Sequence, residues 1–349
     1  MSANQSINQS INQRRTNYGL SLLRSLMCFE VVLCHFWSSA EFPKILLPFQ
    51  ILRSYAVPVF MFMSFFLTQK NFLKKDKNYA AHRIFKLAVP HFAWAFIYFF
   101  AYKFHEFVLH TKIATLKDFA LQIFLGHSRV LDAVLWFQVN LIALTILFFA
   151  VFYFLSEKSG TILLIFFSFV ALILQYSGIN QKIFGGMEFE FCYPLGRFSE
   201  MLPVATCGFL VSRFGLEKIF RRRGINLLFF FALSSAAIFS EMKFGLSGRG
   251  FGYSGVWKIL AGYAITSFAF NCDFEKFTKK FPRSSEIITR YTQGIYCSHL
   301  FVGRYATAIF SRIGIQPGFF YQCVLIYAAA FAVFFVTDKI PSRRLKLIF

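Results

Sequence analysis

An arginine and a histidine lie eleven positions apart in the first apolar run of the chain, Leu23–Phe36. On an α-helix, eleven steps make three turns plus about 20°, with a rise of about 16 Å. Arg24 and His35 therefore share one stripe. If the run crosses a bilayer, that stripe carries an anion-binding guanidinium near one surface and a titratable imidazole toward the other. A guanidinium suits phosphate. An imidazole titrates near neutrality, so His35 is a group able to give or take a proton. The same spacing also fits an interfacial arrangement, with Arg24 snorkelling inward and His35 capping the outer end.

Other polar residues fall inside apolar runs, where ionisable side chains are costly and point to function. Arg197 and Glu200 are spaced i,i+3 and can pair. They form either a structural ion pair or a means of orienting a substrate. Tyr296 and His299 share a face by the same spacing, either as wall groups of a reaction path or as hydrogen-bonding groups between helices. Lys258 carries the same two readings. Glu30 lies five positions from His35, about 140° round the helix, and is the weaker partner for it. Arg83 and Lys86 fall on one side of a helix that begins near them, which suits a phosphate site or a positive-inside anchor. The seven cysteines, Cys28, Cys34, Cys192, Cys207, Cys272, Cys297 and Cys323, are scattered without metal-ligand spacing. No metal site is expected, and no phosphate-loop or dinucleotide glycine pattern occurs.

The elements that position these residues follow from composition. Of 349 residues, 57% are hydrophobic and 15% charged, and mean hydropathy is +0.55. The apolar residues gather in continuous runs of roughly twenty, the length of a membrane-crossing helix, and lack the alternation of a β-barrel. The expected fold is an all-α integral membrane bundle of about ten spans, near 18–38, 48–69, 84–102, 133–155, 161–176, 191–211, 226–240, 251–270, 287–310 and 318–337. The fifth and seventh are short. The amphipathic stretch 103–132 reads as an interfacial helix or a plain outer loop. With the N-terminus inside, the inner segments carry more than twice as many Lys and Arg as the outer loops. This bias places both termini in the cytoplasm. It also accounts for the net charge of +21 without nucleic acid, since no basic stripe on a soluble domain is present. A polar tail spans 1–17, a single transmembrane domain 18–338 and a basic tail 339–349. The first apolar run, with Arg24, Glu30 and His35 inside it, is a poor signal peptide and is expected to remain as the first helix.

The Arg24-to-His35 spacing, the block Val57–Phe66, the basic segment Arg83–Pro90, Trp136-Phe137 and Gly294–His299 occur in order on successive spans. In this the chain resembles the membrane acyltransferase-3 family, typified by enzymes that O-acetylate cell-envelope polysaccharides. Two positions depart from the family pattern: Phe65 stands where Gly usually follows Ser64, and Lys86 where Arg is common. The resemblance implies an acyl-coenzyme A donor, normally acetyl-coenzyme A, entering from the cytoplasm, and a glycan or lipid-linked sugar acceptor on the outer side of a bacterial inner membrane. It implies no permanently bound cofactor. His35 would be the general base, with Glu200, Tyr296 and His299 near the reaction path and Arg24, Arg83 and Lys86 on the donor phosphates. Direct transfer and an acyl-histidine intermediate both fit. The competing classes are a transporter or flippase of a glycan or lipid-linked sugar, and a non-catalytic partner of a polysaccharide synthase. Transporters commonly show internal repeats, and none is evident here.

Overall fold

A computed structural model describes residues 17–36, 55–109, 114–127, 134–176, 189–218, 223–243, 256–272, 282–314 and 318–340. These form eleven α-helices and one 3₁₀ turn, with no strand among the described residues. The helices are α1 Tyr18–Phe36, α2 Ala56–Leu73, α3 Lys77–Leu109, α4 Leu116–Leu125, α5 Trp136–Phe154, α6 Glu157–Tyr176, α7 Phe189–Phe214, α8 Arg223–Lys243, α9 Val256–Asn271, α10 Pro282–Arg312 and α11 Phe319–Thr337. In hydrocarbon no water is available to satisfy backbone groups, so each apolar segment closes its hydrogen bonds within itself.

Each expected span overlaps a helix. Six helices, α1, α2, α3, α5, α6 and α11, are long and apolar enough to cross a membrane. The others are shorter or more polar: α10 carries Arg290, His299, Arg304 and Arg312 along its length. Residues 1–16 and 341–349 of the terminal tails lie outside the described residues, as does the 48–54 part of the expected second span.

The third helix departs most from expectation. It runs for 33 residues, through Pro90 and on to Leu109, about 50 Å at 1.5 Å per residue. The hydrocarbon core is only about 30 Å thick, so α3 tilts or projects beyond it. The following stretch is not a plain loop. Thr115 and Asp118 form a reciprocal capping box that starts α4, and Gly126, at φ 68°, ends it in the left-handed conformation. The helix α4 packs on α3, α5 and α7.

α1 and α2 lie at the centre of the bundle. α1 packs against α2, α9, α10 and α11, and α2 against α7, α5 and α9. Glycines permit two of these contacts. A Cβ on Gly19 would lie 1.8 Å from the Ala269 carbonyl oxygen of α9, and one on Gly208 of α7 would lie 2.4 Å from that of Phe62 on α2. Such small residues let membrane helices approach closely. The abundant phenylalanines divide between two roles. Phe65, Phe72, Phe148, Phe152 and Phe209 interlock inside, with Phe65 and Phe148 ring centroids 4.5 Å apart. Phe104, Phe107, Phe166, Phe167 and Phe169 project outward, as suits a surface solvated by lipid.

Candidate functional site

The stripe of α1 opens at its Arg24 end onto a cavity of ≈ 230 Å³ walled by α1, α2, α3, α5 and α10. Arg24 is half-buried on this wall and has no hydrogen-bond or ion-pair partner among the described residues. Arg83 of α3 also lines the cavity. Its Nη2 donates to Ser64 Oγ at 2.6 Å and its Nε to Thr145 Oγ1 at 3.3 Å. Both partners are neutral hydroxyls, so they aim the guanidinium without cancelling its charge. No acidic side chain among the described residues lines the cavity. Two guanidiniums with no carboxylate beside them among the described residues have the chemistry to receive an anion, and the hydroxyls hold one of them, Arg83, in place.

Phe65 does not obstruct this site. Its ring is fully buried against Phe72 and Phe148, while its neighbour Ser64 lines the cavity. Successive residues of a helix point about 100° apart, so the bulky side chain goes to the core and the hydroxyl to the wall. Lys86, the third residue of the expected phosphate group, stands apart from Arg24 and Arg83. It is exposed and does not line the cavity. At i+3 it lies about 60° round the helix from Arg83, and that rotation takes it off the walled side of α3.

Toward the other end of the stripe, His35 meets His299. The two rings stand with centroids 4.9 Å apart, inclined at 48°. His35 is exposed, whereas His299 is fully buried. The Nδ1 of His299 lies 2.6 Å from the Tyr296 carbonyl oxygen. A carbonyl can only accept, so Nδ1 carries the proton and the neutral ring keeps its lone pair on Nε2. That Nε2 is buried and has no hydrogen-bond partner among the described residues. Neither histidine lines the Arg24 cavity. Tyr296 connects the two regions: its ring lines the cavity and stands 6.0 Å from the His299 ring. Its hydroxyl donates to the Val134 carbonyl oxygen at 2.5 Å, so in this arrangement Tyr296 shapes the wall between cavity and imidazoles.

Glu200 pairs with Arg197 as their spacing anticipates, Nη1 to Oε2 at 2.7 Å. The Arg197 guanidinium also lies 5.3 Å from the centroid of the Trp136 ring. No hydrogen bond or ion pair joins Glu200 to His35 or His299 among the described residues. Glu30 is fully buried, and neither of its oxygens has a hydrogen-bond partner among the described residues.

Two wall residues escape a reading by sequence pattern. Gln138 donates from Nε2 to Cys297 Sγ at 3.1 Å, leaving its Oε1 buried without a partner among the described residues. Gln293 carries a buried Nε2 in the same condition. Both residues line the cavity. An unmatched amide acceptor and an unmatched amide donor there complement a ligand that itself carries amides. A glutamine on an apolar run has no diagnostic spacing; the only signal was its presence inside a span.

No curated protein and no solved structure gives a significant match to this chain. The model of the acyltransferase domain family matches residues 17–338. That span takes in Arg24, Arg83, His35 and His299 and every described helix. The chain is thus a membrane acyltransferase belonging to the acyltransferase-3 family.

Proposed function

We propose that this protein moves an acyl group, acetyl in the first instance, from cytoplasmic acyl-coenzyme A to a hydroxyl of a cell-envelope carbohydrate. The observation that carries this reading is the half-buried Arg24 guanidinium, without a partner among the described residues, on a cavity that also holds Arg83 and no acid from those residues. Such a charge within a bundle calls for an anionic partner. At ≈ 230 Å³ the cavity is far smaller than a whole coenzyme A. It suits the slender thioester arm, with the nucleotide phosphates held at its mouth. The amides of that arm would meet Gln138 and Gln293, whose terminal amides rotate easily.

In the proposed reaction the acceptor hydroxyl gives its proton to His35, and its oxygen attacks the thioester carbonyl. The carbon–sulfur bond breaks, and the leaving thiolate takes up the proton to give free coenzyme A and an O-acyl ester. His299 stands behind His35 and holds its tautomer through Tyr296. Glu200 is assigned to structure, through Arg197. We place the chain in a bacterial inner membrane with about ten spans and both termini in the cytoplasm, because the dense Lys and Arg clusters then fall inside. The Arg24 end of α1 accordingly faces the cytoplasmic donor, and the His35 end faces outward.

The test is turnover of labelled acetyl-coenzyme A by the purified protein in liposomes, with label recovered on an envelope glycan. Label on the glycan and release of free coenzyme A are expected. Glycan crossing the bilayer with no ester formed would make the protein a transporter instead. Absence of both reactions, with donor bound, would make it a partner of another enzyme.

A further inference from the structure

A second concavity lies apart from the Arg24 cavity. It is a groove of ≈ 460 Å³ between the C-terminal halves of α3 and α10, within the usual range for small-molecule sites. From α10 it takes Phe301, Arg304, Tyr305 and Arg312, and from α3 Tyr102 and His105. The groove starts at the level of the imidazoles. Gly303, next to Arg304, packs so closely on Phe36 that a Cβ would lie 2.0 Å from its ring, and Phe36 follows His35. Arg304 is five residues beyond His299, a rise of about 7 Å, and Arg312 is about 12 Å further along.

Two features give the groove a ligand chemistry. The first is charge. Arg304 and Arg312 line it with no acidic residue among the described ones, and Glu106 of α3 is taken by Lys103 at 2.7 Å. The second is flat aromatic surface. The Arg304 guanidinium lies 5.0 Å from the centroid of the Tyr102 ring and donates to the Tyr102 hydroxyl, which fixes its plane. Tyr305 is exposed beside it, packed on Phe301 at 4.8 Å between centroids. Aromatic faces suit the C–H faces of a pyranose, and guanidiniums suit a phosphate.

We propose that this groove holds the acceptor, a sugar bearing a phosphate, with its ring on Tyr305 and its phosphate on Arg304 and Arg312. A hydroxyl of that sugar then lies toward the His35–His299 pair. The proposal rests on the acyl-transfer reading for the name acceptor, and its binding chemistry is tested independently of transfer.

The experiment is calorimetric titration of the full-length protein in phosphatidylcholine nanodiscs. The probes are octyl glucosyl phosphate, octyl glucoside, octyl phosphate and glucose 1-phosphate. Octyl glucosyl phosphate is expected to bind at least tenfold more tightly than octyl glucoside or octyl phosphate. Tyr305→Leu and Arg312→Gln, both at exposed positions, are each expected to weaken it about tenfold and to leave acetyl-coenzyme A binding unchanged. Glucose 1-phosphate binding as well as the octyl glycoside phosphate supports the proposal with a free phosphosugar; binding much more weakly supports it with a lipid-linked one. Octyl phosphate binding equally well would make the groove an anionic-headgroup site and overturn the proposal. Equal binding of octyl glucoside, or wild-type binding by both variants, would overturn it too. A protein that binds the probe as stated but never turns over acetyl-coenzyme A refutes acyl transfer and leaves the groove standing. Transfer with an unchanged acceptor KM in Arg312→Gln refutes the groove and leaves acyl transfer standing.

Discussion

His35 and His299 come from opposite ends of the chain, yet their rings stand with centroids only 4.9 Å apart. One is exposed and the other fully buried, which divides their roles: the accessible ring can reach a substrate, and the buried one can hold it in place. Replacing His35 by Ala is expected to lower transfer by about 10²- to 10⁴-fold, the usual contribution of a general base. The protein should insert and elute normally, because His35 is exposed. His299→Phe keeps the ring volume and removes the imidazole, so a smaller loss in kcat with little change in donor KM is expected. Steady-state kinetics of the two purified variants checks both. Full activity in His35→Ala would remove this residue from the chemistry.

At the other end of the stripe, the arginines should act on donor affinity. A hydrogen bond to a charged group contributes about 1.5–3 kcal/mol, so Arg24→Ala and Arg83→Leu should each raise the acetyl-coenzyme A Kd by roughly ten- to a hundredfold. Lys86→Ala should leave it near the wild-type value, since that side chain is exposed and off the wall. Titration of the three variants with acetyl-coenzyme A separates them. Equal losses at Lys86 and Arg83 would mean that the donor lies along the outer face of α3 instead of in the cavity.

How far the sequence disclosed this arrangement depends on whether each feature is local. The Arg24–His35 stripe, the Arg197–Glu200 pair and the Tyr296–His299 spacing were legible, because the helical period converts separation along the chain directly into direction. The overlap of each expected span with a helix follows in the same way from run length. The Arg83–Ser64 hydrogen bond, the meeting of His35 with His299 and the two glutamines on the cavity wall were not legible. Each depends on which helices pack together, and no periodicity within one segment encodes that. Lys86 shows how coarse the period is at a boundary: an offset of about 60° decides between cavity and exterior. The length of α3 is not legible because its polar C-terminal part, from Lys103 onward, dilutes the apolar run without breaking the helix.

Glu200 offers a separate test of structure against catalysis. Removing Arg197 alone leaves a buried carboxylate without its 2.7 Å partner, which should cost about 2 kcal/mol or more. Replacing both, as Arg197→Met with Glu200→Leu, removes the unmatched charge and should restore much of the loss in thermal stability. Transfer should recover along with stability. A double variant that is as stable as wild type but inactive would return Glu200 to the reaction path.

The crossing of α2 and α7 predicts opposite outcomes for two glycines on one helix. A Cβ at Gly208 would lie 2.4 Å from the Phe62 carbonyl oxygen and 3.1 Å from its Cα. These are backbone atoms near the centre of the bundle, so they cannot swing aside as a side-chain tip would. Gly208→Ala must push the two helices apart, and overpacking of this kind costs about 1–3 kcal/mol. A Cβ at Gly196 meets nothing within 4 Å, and alanine is the better helix former by up to about 1 kcal/mol. Thermal unfolding in detergent should therefore show a lowered midpoint for Gly208→Ala and an unchanged or raised one for Gly196→Ala. Equal midpoints would mean that the close approach of α7 to α2 is not what holds the centre of the bundle together. The cavity wall that α2 contributes through Ser64 would then need another support.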